Sequence, residues 1–237
     1  MIKPASILLI LTAAFIFLSS CTNLHKQERE MNGVTSLRPH SGSIPVLVNK
    51  YSSLPPGYKP DDLVFPNVPF LFTEKIEKRM LRKEAASALE LLFQEAEKDG
   101  IFLAGVSAYR SYEAQQAIFN SYVQAQGIEK AKTFSASPGT SEHETGLAVD
   151  ISDKDGKCPA VDCFGQTTEA GWLEKHAHTY GFIIRYPKGK EDITGYKYEP
   201  WHLRYVGPRI AAEIKERNIA LEEYLKAEPV ITKSDSK

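Results

Sequence analysis

Apolar residues fall along this chain in runs whose spacing changes from segment to segment, and each change marks an element. From Ile44 to Phe72, Leu47, Val48, Leu63, Val64 and Phe65 are interspersed with Pro45, Pro55, Pro56, Pro60, Pro66 and Pro69. That pattern excludes helix and predicts an extended segment docked on the domain surface. Leu81, Ala85, Ala88, Leu89, Leu92, Phe93 and Ala96 then recur at helical spacing, which predicts a helix from about Thr73 to Asp99, stopped by Gly100. Ile101 to Ala108 reads as a strand. Ser111 is a suitable N-cap for a helix to about Gln126, ended by Gly127. Phe134 to Gly146 is rich in Ser, Thr, Pro and Gly and reads as a loop, and Leu147 to Ile151 as a short strand. A helix fits Glu169 to Tyr180. Phe182–Tyr186 and Tyr196–Val206 read as paired strands joined by the polar loop Pro187–Gly195, and a last helix fits Arg209 to about Lys226. No internal repeat is visible. The interleaving predicts one α+β domain, with a mainly antiparallel sheet packed against helices.

The ends differ from this body. Met1-Ile2-Lys3 precedes an apolar run from Ile7 to Leu18, broken only by Thr12, and then Leu18-Ser19-Ser20-Cys21. A lysine, a short apolar stretch and small residues read as a secretory signal, too short for a lasting membrane span. The cysteine after two serines resembles a bacterial lipobox, which makes Cys21 the expected lipidation site. The expected organisation is a signal peptide over 1–20, a flexible tether over 21–42, one folded domain over 43–228 and a polar tail over 229–237. The mature protein is then expected outside the cytoplasm, lipid-anchored to the cell membrane.

Composition narrows the function. The 29 basic and 30 acidic residues give a net charge of −1, so no basic surplus points to nucleic acid. Besides Cys21, only Cys158 and Cys163 are present, bracketing Pro159-Ala160-Val161-Asp162. In an oxidising compartment they read as a small-loop disulfide, with a pair of metal thiolates as the competing reading.

The chemistry concentrates in two runs, Ser141-Glu142-His143-Glu144-Thr145-Gly146-Leu147-Ala148-Val149-Asp150 and Tyr198-Glu199-Pro200-Trp201-His202. Two imidazoles and one carboxylate, from His143, His202 and Asp150, are a common ligand set for a catalytic zinc ion. Glu199 is left to handle protons, as metal-assisted hydrolysis requires. In a strand, Leu147, Val149 and Ile151 face the core, while Gly146, Ala148 and Asp150 share the other side. That side is cleared of bulk around one carboxylate. Glu199 and His202 present a difficulty, because residues three apart in a regular strand face opposite ways. Pro200 favours a bend or bulge there. The plainer alternative is an edge strand with a solvent-facing Glu199 and a core His202. His176 and His178, two apart in a helix, point in different directions, and His25 and His40 belong to the tether. Asp153, Asp155 and Asp162 read as solvated turn residues.

With these motifs in place, the chain resembles the VanY-like D-alanyl-D-alanine carboxypeptidases of bacterial cell walls. The resemblance covers about residues 70 to 210 in three ordered motifs. These are Ser107-Ala108-Tyr109-Arg110-Ser111 with Gln115, the Ser141 to Asp150 run, and Glu199-Pro200-Trp201-His202. It implies a hedgehog-like α+β fold, one zinc ion on His143, Asp150 and His202, and Glu199 as catalytic acid/base. It implies Arg110 beside the scissile carbonyl or the substrate carboxylate, with Ser141, Gln115, Tyr186 and Trp201 lining the peptide site. The leading expectation is a zinc D,D-carboxypeptidase trimming terminal D-alanine from peptidoglycan stem peptides. An L,D-carboxypeptidase acting on tetrapeptide stems is the near alternative, and a non-catalytic wall-peptide binding module a more distant one.

Overall fold

The structure, a computed structural model, describes residues 43–227. The expected signal segment, Cys21, the tether and the polar tail lie outside the described residues. The proline-rich segment is extended and docks through its apolar side chains, burying Val46, Val48, Leu54 and Val68. Within it β1 (Leu63–Val64) pairs antiparallel with β2 (Leu81–Arg82). This pairing corrects the first helix boundary. A 3-10 turn over Glu77–Arg79 leads into β2, and α1 runs from Lys83 to Lys98 rather than from Thr73. Leu81 matches the helical stripe in spacing, yet it is wholly buried as a strand residue. The stripe that remains, Ala85, Ala86, Leu89, Leu92, Phe93 and Ala96, is the buried face of α1.

β3 (Leu103–Ser107) is followed by α2 (Tyr112–Gln126), where Ser111 Oγ accepts from the Ala114 N–H as an N-cap. The turn at Gly127 opens a further short helix, α3 (Ile128–Phe134). A loop containing the 3-10 turn Glu142–Thr145 then delivers the chain to β4 (Ala148–Asp153). The loop beyond β4 is closed by a Cys158–Cys163 disulfide. α4 (Thr168–His176) tightens into a 3-10 turn over Ala177–Tyr180 before β5 (Phe182–Ile184). The polar loop holds α5 (Glu191–Thr194) and leads to β6 (His202–Tyr205), a strand shorter than its apolar pattern suggested. The expected last helix is two, α6 (Pro208–Arg217) and α7 (Leu221–Tyr224). They part at Asn218, which takes the left-handed conformation (φ 50°) that an asparagine tolerates.

Four strands form one antiparallel sheet in the order β3-β4-β6-β5. Leu147, Val149 and Ile151 from the β4 segment and Leu203 and Tyr205 from β6 enter the main core with the α1 stripe and Leu173 of α4. Alternation therefore sends Ala148, Asp150, His202 and Arg204 to the opposite side of the sheet. A smaller cluster of Ile183, Val206, Ala211, Ile214 and Leu221 seats α6 and α7.

At the β3 edge, Gly105 exchanges backbone hydrogen bonds with Pro69 and Leu71 while the Phe70 ring lies over it. A β-carbon on Gly105 would stand 2.5 Å from Phe70 Cε1, so the close approach needs glycine. Gly105→Ala is expected to cost about 1–3 kcal/mol through overpacking. At about 2–4 °C per kcal/mol for a domain of this size, thermal unfolding followed by circular dichroism should show the loss. An unchanged midpoint would refute the packing argument.

Candidate active site

Asp150 and His202 meet because the sheet register puts them directly opposite one another on β4 and β6. His202 Nδ1 lies 3.0 Å from Asp150 Oδ1. His143 arrives from the 3-10 turn, with Nε2 3.3 Å from Asp150 Oδ2. Its Nδ1 is 2.7 Å from the Ala108 carbonyl oxygen, an acceptor, so Nδ1 carries the proton and Nε2 keeps its lone pair for the cluster. Gly146 ends that turn at φ 67°, and a β-carbon there would lie 2.8 Å from Leu63 Cδ2. Glycine alone lets the chain reverse here and bring His143 back beside Asp150.

The difficulty at Glu199 and His202 is resolved by a turn. The His202 N–H donates to the Glu199 carbonyl at 3.1 Å, closing a four-residue turn with Pro200 and Trp201 at its centre. Proline suits the first central position because its φ is already set. Glu199 is thus the residue before the strand rather than part of it, and its N–H donates to the Tyr186 carbonyl at 3.0 Å.

One donor atom from each of His143, Asp150 and His202 lies within 4.8 Å of the others, and all three residues are buried. Ligands about 2.0–2.1 Å from a tetrahedral zinc stand about 3.3 Å apart, which the two carboxylate–imidazole separations approach. The donor chemistry and the spacing therefore fit a zinc ion. Electrostatics agree. Burial disfavours the charged form of Asp150, but the two imidazoles outweigh it and hold its pKa far below the usual carboxylate range. Burial lowers the pKa of His143 against the pull of Asp150. At His202 burial is overcome by the hydrogen bond and charge of Asp150, by the nearby Glu142 carboxylate and by the charge of Glu199, which raise its pKa to about 9. Glu199 is pushed up to about 7, chiefly by burial and also by Asp150, against the opposing effect of His202.

The other expected site residues occupy defined places. Arg110 Nη1 donates to Gln115 Oε1 at 2.7 Å and Nη2 lies 3.4 Å from Ser107 Oγ. Gln115 in turn donates to the Ala136 carbonyl at 2.6 Å, which fixes the guanidinium between β3 and α2. Tyr186 leans on the His202 ring at 5.0 Å and on Tyr196 at 4.6 Å. Ser141 is buried just before the 3-10 turn. Trp201 is buried within the main core cluster, with Lys197 Nζ 5.8 Å above its ring. A separate cavity of about 170 Å³, lined by Leu173, His178, Phe182 and Ile214 among others, includes none of these groups.

Sequence reasoning missed what lies beneath. Glu142 Oε1 accepts from Arg185 Nε at 2.7 Å and from Arg204 Nη1 at 2.6 Å, and all three side chains are fully buried. Arg185 also forks onto both Glu222 oxygens, at 3.0 and 2.6 Å. Burial works against ionisation of Glu142, but the two guanidinium groups win and hold its pKa well below the ordinary range. The available signal was two arginines embedded in otherwise apolar strand segments.

A buried pair of imidazoles and an aspartate with a half-buried glutamate alongside defines a zinc peptidase of the open-site kind. The comparisons agree. The family profile for VanY, D-alanyl-D-alanine carboxypeptidase, matches residues 78–208. The "Putative carboxypeptidase YodJ" of Bacillus subtilis is 50% identical over 196 residues, 83% of this chain and 71% of that protein. Among solved structures, the LdcB LD-carboxypeptidase is 52% identical with a TM-score of 0.76, over 79% of this chain and 88% of that one. A variant of the vancomycin-resistance D,D-pentapeptidase VanY in complex with Zn(II) is 34% identical with a TM-score of 0.63, over 77% and 98%. The chain belongs to the VanY family of D-alanyl-D-alanine carboxypeptidases, which are zinc-dependent peptidases.

The raised pKa of His202 sets a proton against the metal. In the metal-free protein His202 is protonated below about pH 9, while His143 and Asp150 are already deprotonated at pH 7. Zinc binding at pH 7 should release at least about one proton, and affinity should climb with pH until about 9. Calorimetric titration in buffers of different ionisation enthalpy reads this directly. Zero proton release would contradict it.

Proposed function

We propose that this carboxypeptidase removes the terminal D-alanine from peptidoglycan stem peptides, using one zinc ion held by His143, Asp150 and His202. The observation that carries the reading is the meeting of those three donors with Glu199 beside them. A zinc ion there supplies Lewis-acid polarisation of a peptide carbonyl and acidifies a water molecule. The Glu199 carboxylate takes the proton of the attacking water and returns it to the departing amine. Its pKa near 7 suits both halves of that exchange. Arg110, already held by Gln115 and Ser107, has further N–H donors for the developing oxyanion or the substrate carboxylate.

Two specificities share this chemistry. The family name and the VanY structure support D,D cleavage of pentapeptides, the leading expectation from the sequence. The 52% identity to the LdcB LD-carboxypeptidase, against 34% to VanY, favours L,D cleavage of tetrapeptides, and we adopt that reading. We further propose that the enzyme works outside the cytoplasm, anchored through Cys21. The lipobox-like Ser19-Ser20-Cys21 and the Cys158–Cys163 disulfide support this placement.

Release of D-alanine from tetrapeptide and pentapeptide, measured side by side with and without chelator, tests both levels. Tetrapeptide is expected to turn over faster, chelator to abolish turnover and zinc to restore it. Glu199→Ala is expected to lower kcat by about 10²–10⁴-fold. No metal-dependent D-alanine release from either peptide would overturn the reading, and faster pentapeptide turnover would replace L,D by D,D.

A further inference from the structure

Two buried polar atoms face each other without a hydrogen-bond partner, Glu142 Oε2 and His202 Nε2, at 3.6 Å. The other Glu142 oxygen is fully engaged by Arg185 and Arg204. The other His202 nitrogen faces Asp150 and the metal cluster. We propose that Glu142 is a positioning residue for the zinc site, whose Oε2 holds the proton of His202 on Nε2 and thereby offers Nδ1 to the metal. The inference rests on the zinc reading above and concerns a residue outside the ligand set.

Geometry makes the assignment specific. Arg185 and Arg204 grip Oε1 from two directions, so the carboxylate cannot rotate away and its second oxygen stays aimed at the imidazole. Both guanidinium groups are themselves anchored, Arg185 on Glu222 and Arg204 on the carbonyls of Ile44 and Val46 at 3.0 and 2.6 Å. An imidazole whose far N–H is bound to a fixed carboxylate is held in one tautomer and one ring orientation, and it is a more basic ligand. His143 has the equivalent support from the Ala108 carbonyl. Each metal-facing imidazole therefore has an oxygen behind it, the Ala108 carbonyl at 2.7 Å for His143 and Glu142 Oε2 at 3.6 Å for His202.

A merely structural Glu142 would serve only to neutralise two arginines, a task it shares at Arg185 with Glu222. That difference supplies the control. In Glu142→Gln the arginines claim the amide oxygen, which turns the amide N–H₂ toward His202 Nε2 and favours the wrong tautomer. Zinc affinity, measured by competition with a chromogenic chelator, should fall about 10–100-fold in Glu142→Gln. Glu222→Gln also takes a carboxylate from Arg185, which keeps Glu142, yet it should leave affinity nearly unchanged wherever circular dichroism shows a folded chain. Equal losses in the two variants would overturn the positioning role. Should Glu142→Gln fail to fold, nitrogen-15 histidine NMR of the zinc-loaded wild-type protein decides instead. The expected spectrum has His202 protonated at Nε2 and metal-shifted at Nδ1, and the reverse pattern overturns the proposal. A wild-type protein that binds no zinc at these residues would sink the proposed function and this inference together. Zinc binding with the wrong tautomer would sink the inference alone.

Discussion

Glu142, Arg185, Arg204 and Glu222 form a network of ion pairs placed where almost no water can reach it. Such a group gains little net stability over a well-packed apolar alternative, but removing one member leaves a bare charge in the interior at a cost of about 3–5 kcal/mol. The network is therefore less a source of stability than a condition on the rest of the fold. Glu142 comes from the 3-10 turn that carries His143, Arg204 from the strand that carries His202, Arg185 from the segment after β5 and Glu222 from α7. Each must be in register for the others to be tolerated. The active-site face of the sheet thus inherits its precision from an electrostatic requirement rather than from packing alone.

Around that requirement the ligands are gathered by two different devices. Asp150 and His202 are neighbours through antiparallel pairing, which tolerates no slip, since a shift of one residue in either strand would send its ligand to the core side. His143 and Glu199 come from turns, and each turn depends on a residue with restricted or permissive backbone, Gly146 in one case and Pro200 in the other. A rigid sheet thus presents two groups, and local turns add the other two.

How far this could be read from the chain follows the same division. The alternation in Leu147 to Asp150 announced which face Asp150 would take, and the α+β class followed from the order of elements. Boundaries failed where tertiary pairing outweighed local preference. Leu81 fits a helical stripe but serves β2, and Tyr196 to Trp201 fits an apolar strand but is diverted into loop and turn before β6. The single helix expected at the C-terminus is broken at Asn218, whose left-handed conformation carries little sequence signal. The cluster of His143, Asp150 and His202 was legible because its residue types are rare together. Glu142, Arg185, Arg204 and Glu222 were not, because charged residues are by default assigned to the surface and ion pairs across 37 to 62 positions follow no periodicity.

The bonds from Arg204 to the backbone of Ile44 and Val46, and from Asn49 to Glu222 at 3.2 Å, have a bearing on where this catalytic unit begins and ends. The family match spans residues 78–208, yet partners of its two buried arginines lie on both sides of that interval. A fragment trimmed to the matched span would retain every ligand while stripping two guanidinium groups of their outer partners. The folded unit is accordingly wider than its signature, and the flanks are part of its interior rather than padding.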